Sequence, residues 1–304
     1  MNPPPHGPGP DHPLALRGRL LAALRAFFAG RDFVEVETPV RVAAPALEAH
    51  IDAEPSGDRW LRTSPELHMK RLLADGWPRL FQIGPCFRRG ERGALHHPEY
   101  TMLEWYRAPG DAAAILGDLR ELLPAAARAA AGRAVARRGG IEIALDGPWE
   151  ILTVADAFRR WAGWDPVEAF DADRFDLDLV DRVEPAMPRD RPVVLTEYPA
   201  AAAALARLKP SDPRVAERWE VYIGGVELAN AYSELTDPAE QRARFEACAA
   251  GRRARGRDVY PVDGAFLAAL ARMTPAGGVA LGVDRLALLL AGADSLDAVM
   301  AFRE

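Results

Sequence analysis

The chain has 304 residues, 49% apolar and 27% charged, the composition of a folded globular protein with length for about two domains. Its 38 lysines and arginines against 44 aspartates and glutamates leave a formal charge of −6, which argues against a protein held to nucleic acid mainly through phosphates. Two cysteines, Cys86 and Cys248, match neither a disulfide framework nor a metal pair and point to a reducing cytoplasm, and no apolar run is long enough to span a bilayer.

Residues 1–13 are rich in proline and glycine and lack the basic and apolar regions of a signal peptide, so a disordered leader is expected there. From Leu14 onward Leu20, Leu24, Phe27 and Phe28 recur at helical spacing, with Gly30 placed to stop the helix. Residues 33–37 alternate around Val34 and Val36 as a strand, ended by Pro39. Residues 60–63 read as another strand. Ser64-Pro65-Glu66 then opens a helix with a capping hydroxyl, a proline in the first turn and an acid near the positive dipole end. Strands over 79–83 and 100–106 are joined by a long polar loop.

Residues 111–138 carry helical spacing throughout, and 141–145 and 192–198 read as strands with a charged helical insert, roughly 150–190, between them. Residues 220–223, Gly224-Gly225 and 226–232 form a hairpin, because paired glycines supply the positive φ of a tight primed turn. Residues 236–255 read as a charged helix with a solvated face, and 277–282 as a short strand leading into a helix near Asp284 and Arg285. Hairpins and helices in this irregular order predict an α+β fold with a largely antiparallel sheet.

The common nucleotide, zinc-protease and serine-hydrolase signatures are absent. Strand periodicity places Tyr100, Met102, Glu104 and Tyr106 on one face, a carboxylate among aromatics that suits a cation. Glu220, Glu227 and Glu234 recur every seven residues; such oxygens suit a hard cation and a substrate ammonium, and surface acids show the same spacing. Arg88, Arg89, Glu91, Arg92, His96 and His97 suit phosphate oxygens or an exposed charged loop. Arg285, just past a glycine-rich strand end, suits a phosphate or a stacked base.

In combination these residues resemble the three signature motifs of class II aminoacyl-tRNA synthetases, in the lysine-specific branch. The first helix, strand and Pro39 resemble motif 1, the dimer element. Phe87-Arg88, the loop and residues 97–106 resemble motif 2, and residues 278–285 resemble motif 3. The resemblance implies the class II catalytic fold over 14–304, a mostly antiparallel sheet flanked by helices. No anticodon-binding barrel precedes motif 1, so a catalytic domain alone is expected, similar to the free-standing elongation factor P lysine ligases. That family uses ATP and Mg²⁺ to activate lysine or (R)-β-lysine as an adenylate and joins it to a lysine of elongation factor P. Ser64 and Ala280, where the synthetases usually carry alanine and glycine, favour this branch.

Carried over residue by residue, the resemblance implies that Arg88, with Arg89 and Gly90 beside it, holds the ATP α-phosphate and the substrate carboxylate. Tyr100 stacks on adenine with Arg285 on the other face, His97 steadies the ATP tail, and Leu228 and Gly282 line the nucleotide pocket. Glu220 and Glu227 bind Mg²⁺. Ser64, Pro65, Glu66, Glu104 and Ala280 surround the substrate amino end, Asn230 takes its carboxylate, and Glu234 with Tyr106 takes the ε-ammonium. An uncharged substrate side chain would strand a desolvated carboxylate at a cost of roughly 3 to 5 kcal/mol. Two departures stand out: the motif 2 acid, Glu91, comes one residue late, and Tyr232 replaces a usual phenylalanine. A cytoplasmic homodimer without stable tRNA binding is expected. The alternatives are a truncated synthetase-like enzyme charging tRNA or another acceptor, and a non-catalytic module that senses an amino acid.

Overall fold

A computed structural model describes residue 9 and residues 12–303. The leader expected over 1–13 lies almost wholly outside the described residues, and Pro13 already belongs to the first helix.

Helix α1 (Pro13–Ala29) starts on a proline, whose missing N–H costs nothing in a first turn, and ends at Gly30. It buries Leu16, Leu20, Leu24, Phe27 and Phe28. Short strands follow: β1 (Val34–Glu35), β2 (Arg41–Val42), β3 (Pro55–Ser56) and β4 (Arg59–Leu61). The expected strand at 33–37 is reduced to β1, and its inward residue is Phe33, with Val34 41% exposed. Helix α2 (Glu66–Ala74) begins where the Ser64 hydroxyl accepts the Glu66 N–H at 2.9 Å. Strands β5 (Arg79–Phe87) and β6 (Glu99–Arg107) then pair antiparallel over their full length.

Helix α3 (Ala112–Ala131), capped by Asp111, stops at Gly132 with φ 75°. The helical reading of 111–138 fails beyond that point: glycine takes the left-handed turn, and β7 (Val135–Arg138) pairs with β8 (Ile141–Ala144). The insert comprises β9 (Glu150–Thr153), α4 (Val154–Trp161), α5 (Ala172–Asp178), a π-turn and the short α6 (Glu184–Ala186). It packs Val154, Phe158, Phe175 and Met187 onto Leu195 and Tyr198 of β10 (Val193–Pro199). After β11 (Leu208–Lys209), β12 (Asp212–Ile223) and β13 (Val226–Ser233) form the expected hairpin, with Gly224 and Gly225 at φ 59° and 75°. Helix α7 (Pro238–Ala254) is not solvated all round, since Gln241, Phe245, Ala249 and Arg252 are buried. Helix α8 (Gly264–Leu270), β14 (Gly277–Gly282) and α9 (Val283–Ala291) complete the elements used below.

Among the described residues the main sheet has nine strands, ordered β1-β5-β6-β14-β13-β12-β10-β9, with β11 beside β12. Only the outer pairs β1–β5 and β10–β9 are parallel, so the largely antiparallel α+β expectation holds. Alternation divides the central strands between two faces. Leu103 and Trp105 of β6, Ala229 and Ala231 of β13, and Val279 and Leu281 of β14 join α1, α3 and α9 in one apolar layer. The intervening residues, among them Glu104, Tyr106, Asn230 and Ala280, face the other way into a cleft. A second core of Leu67, Leu73, Phe245, Phe266 and Leu270 from α2, α7 and α8 supports that cleft.

Candidate active site

The cleft, about 970 Å³ including its open mouth, is floored by three strands whose register brings distant residues into rows. Ala280 pairs with Glu104 on one side and Asn230 on the other, and Gly278 with Tyr106 and Tyr232. Two chemically different ends result.

One end is acidic. Ser64 Oγ and Tyr106 Oη donate to the two oxygens of Glu104 at 2.6 and 2.8 Å. Glu66, from the first turn of α2, and Glu234, just past β13, lie beside it, and Lys70 bridges them: its ammonium is 2.5 Å from Glu66 and in direct contact with Glu234. Burial pushes the Glu104 carboxyl up to about 8, and the charge of Glu66 adds to the shift. Burial also raises Glu234, against the pull of Lys70. For Lys70 burial opposes the charge, but Glu234 and Glu66 outweigh it and hold the ammonium above its ordinary pKa. Gly278 leaves the space in which these groups sit, since a Cβ there would lie 2.2 Å from Glu234 Oε1 and from the Tyr106 ring.

The other end is rich in cations and hydrogen-bond donors. Arg88 lies over the Tyr100 ring at 5.2 Å, and Tyr100 is anchored by its hydroxyl to the Thr63 carbonyl at 2.9 Å. Arg88 Nε and His97 Nε2 are buried without a hydrogen-bond partner among the described residues, unusual for polar atoms in a folded interior and suited to a ligand oxygen. Arg285, in the first turn of α9, donates to the Glu227 carbonyl at 2.7 Å and lies 3.3 Å from its carboxylate. Its other nitrogen meets His96 Nε2 at 2.8 Å. Asp284 fixes this corner by accepting from Arg17 of α1 and from the Thr101 amide, both at 2.7 Å.

Of the residues picked out by the sequence, Ser64, Glu66, Arg88, His97, Tyr100, Glu104, Tyr106, Glu227, Leu228, Asn230, Glu234, Ala280, Gly282 and Arg285 line this single cleft. Five do not. Pro65 precedes α2, Arg89 turns outward to Asp258 at 2.7 Å, Gly90 occupies a turn at φ 79°, and Arg92 lies outside the lining. Glu220 is covered: Arg218 holds one of its oxygens, and the hydroxyls of Tyr198 and Tyr222 hold the other at 2.6 and 2.7 Å. For a metal ion the cleft wall therefore offers only Glu227 of the expected pair. Its charge and that of Glu220, after burial, lift nearby Glu184 to about 7. A divalent ion carried mainly by phosphates needs one or two carboxylates: Glu227 is open to the cleft, and both oxygens of Glu220 are already held within the protein.

Sequence reasoning missed Lys70, Gly278 and Glu48, which also lines the cleft. A signal for Lys70 existed. It is one of two lysines in a chain whose other 36 basic side chains are arginine, and it follows Glu66 by one helical turn.

The chain matches the family of tRNA synthetases class II (D, K and N) over residues 8–304. It is similar to the elongation factor P-(R)-β-lysine ligase of Klebsiella pneumoniae subsp. pneumoniae, 38% identical over 98% of this chain and 96% of that protein. Proteins of the same name from Erwinia tasmaniensis and Vibrio cholerae are each 38% identical over 95% of this chain and 94% of theirs. The motif residues that meet at the cleft lie within one match running to the end of the chain: this protein belongs to the class II tRNA synthetases of the D, K and N type.

Proposed function

We propose that the protein is an ATP-dependent ligase that activates lysine or (R)-β-lysine as an aminoacyl-adenylate and transfers it to a lysine of elongation factor P. The observation that carries this reading is the union of the acidic end and the Arg88–Arg285 end in one cleft. The name shared by relatives 38% identical over nearly the whole chain supports the acceptor.

In the first step a substrate carboxylate oxygen attacks the ATP α-phosphorus and pyrophosphate leaves. Arg88 meets the charge that develops on phosphorus and carboxylate, while Tyr100 and Arg285 bracket the base and His97 holds the phosphate tail. This is positioning and electrostatics, with no covalent enzyme intermediate. Mg²⁺, held by Glu227, would neutralise phosphate charge and orient the pyrophosphate. Glu66, Glu104 and Glu234 take the substrate ammonium groups and Asn230 its carboxylate, with Ala280 setting the room beside them. In the second step the acceptor amine displaces AMP from the carbonyl carbon.

The reading extends to a cytoplasmic homodimer that does not hold tRNA stably. The resemblance of the first helix, strand and Pro39 to the dimer motif favours self-association, and the charge of −6 disfavours tRNA. Among the described residues no helix is long and apolar enough to cross a membrane.

Pyrophosphate exchange into ATP with lysine, (R)-β-lysine and leucine, followed by mass spectrometry of elongation factor P, tests the proposal. Exchange with a lysine isomer and not with leucine, and a matching mass gain on elongation factor P, are expected. No exchange with either isomer would refute it.

A further inference from the structure

Most carboxylates of the cleft are committed. Glu66 and Glu234 hold Lys70, and Glu104 takes two hydroxyls. Glu227 pairs with Arg285, Asp284 with Arg17, and Glu91 lies 3.7 Å from Arg88. Glu48 is the exception: half-buried in the cleft wall, its carboxylate makes no hydrogen bond or ion pair among the described residues.

Its backbone, by contrast, is fastened. The guanidinium of Arg252, only 1% exposed, donates to the carbonyls of Glu48 and Ile51 at 2.7 and 2.8 Å and pairs with Asp52. A buried arginine thus holds the irregular loop between β2 and β3 so that an unpaired carboxylate faces the ligand space. Arg88 and Arg218 face it with positive charge, Glu66 and Glu91 with negative, and Tyr100, Tyr232 and Cys248 are the neutral titratable neighbours. Burial dominates the balance and lifts its pKa to about 6, so it is ionised at neutral pH yet able to take a proton.

The two half-reactions differ in their need for a base. A carboxylate attacking phosphorus is already a nucleophile. A lysine side chain is not, because with an ordinary pKa only roughly one in a few thousand is uncharged at pH 7. We propose that Glu48 is the general base of the transfer step, a role that rests on the ligase reading above. Its carboxylate takes one proton from the acceptor ε-ammonium, and the freed lone pair attacks the adenylate carbonyl carbon. The C–N bond forms and the C–O bond to AMP breaks with its electron pair leaving on the phosphate. The second nitrogen proton goes to that phosphate as the tetrahedral species collapses. Arg88, which in that reading meets the substrate carboxylate, is the charged neighbour that acts most strongly on Glu48, ahead of Glu66, Arg218 and Glu91.

The test compares the full-length protein with Glu48→Gln and Glu48→Asp in three assays. These are lysine-dependent pyrophosphate exchange, capture of the adenylate by hydroxylamine, and single-turnover transfer to elongation factor P. Hydroxylamine is largely uncharged at neutral pH and needs no base. For Glu48→Gln, exchange and hydroxamate formation are expected within about threefold of wild type and transfer about 100-fold slower, in the range general bases supply. The acid limb of the transfer pH profile near 6 disappears, and Glu48→Asp recovers part of the rate. Transfer at the wild-type rate overturns the role of Glu48 alone. Exchange or hydroxylamine capture falling in parallel with transfer overturns it too, by making Glu48 a binding group for the first step. A wild-type protein without exchange overturns the ligase reading and this role together.

Discussion

Lys70 and Glu234 form an ion pair at the floor of the cleft, and neither side chain reaches solvent. The same ammonium contacts Glu66, so one resident cation serves two carboxylates while Glu104 stands beside them and, among the described residues, is held by two hydroxyls. Three carboxylates share one ammonium: burial raises the pKa of Glu104 and of Glu234, and the charge of Glu66 raises both further. A diamino acid brings two ammonium groups and closes the balance at three against three. A neutral amino acid does not.

Proton release on binding follows from that balance. At pH 7 lysine is expected to expel protons from Glu104 and Glu234, giving a calorimetric binding enthalpy that varies with the ionisation heat of the buffer. The folded pKa of Glu104, about 8, lies above its ordinary 4.5. Its favourable contribution to stability is therefore full below 4.5 and lost as pH rises through 8. The melting temperature of the empty protein should fall across that window, and saturating lysine should flatten the fall. An enthalpy independent of buffer would contradict the charge count.

Glu234→Gln removes charge from the acidic end only. Lysine-dependent exchange should drop about 10²- to 10⁴-fold while ATP affinity stays within about threefold. Equal losses, read by exchange kinetics and by nucleotide titration, would contradict the division of the cleft into two ends.

Lys70→Met leaves Glu66 and Glu234 facing each other without a counter-ion. Breaking a buried pair in this way costs about 3 to 5 kcal/mol, measured by chemical denaturation. The deficit should be smaller at pH 5 than at pH 8, because Glu234, whose pKa is already raised, takes up a proton and relieves the repulsion. A deficit independent of pH would show that Lys70 acts through packing alone.

Gly278→Ala would set a methyl group 2.2 Å from Glu234 Oε1 and from the Tyr106 ring, closer than atoms approach. The strand cannot yield easily, since it is paired on both sides. Overpacking of this kind costs about 1 to 3 kcal/mol, and here it falls on the lysine pocket. kcat/KM for lysine should collapse while binding of ATP survives. Wild-type kinetics for lysine would place the substrate elsewhere.

What was legible in the chain follows from local geometry. Tyr100, Glu104 and Tyr106 share a face because a strand repeats every two residues, and Gly224-Gly225 turns the hairpin because both positions need positive φ. The helix run on to residue 138 was misjudged because Gly132 ends α3 in a left-handed turn that apolar spacing does not report.

The sequence by itself determined the long helices and the central strands, the faces on which the motif residues lie, and the family to which they point. Tertiary structure decided the charge relations: that Glu220 is enclosed by Arg218, Tyr198 and Tyr222, that Lys70 meets Glu234, and that the Glu48 carboxylate has no partner among the described residues. Periodicity is written into a few consecutive residues. Coulomb and desolvation energies depend on distances between segments far apart in the chain, and only folding sets those distances.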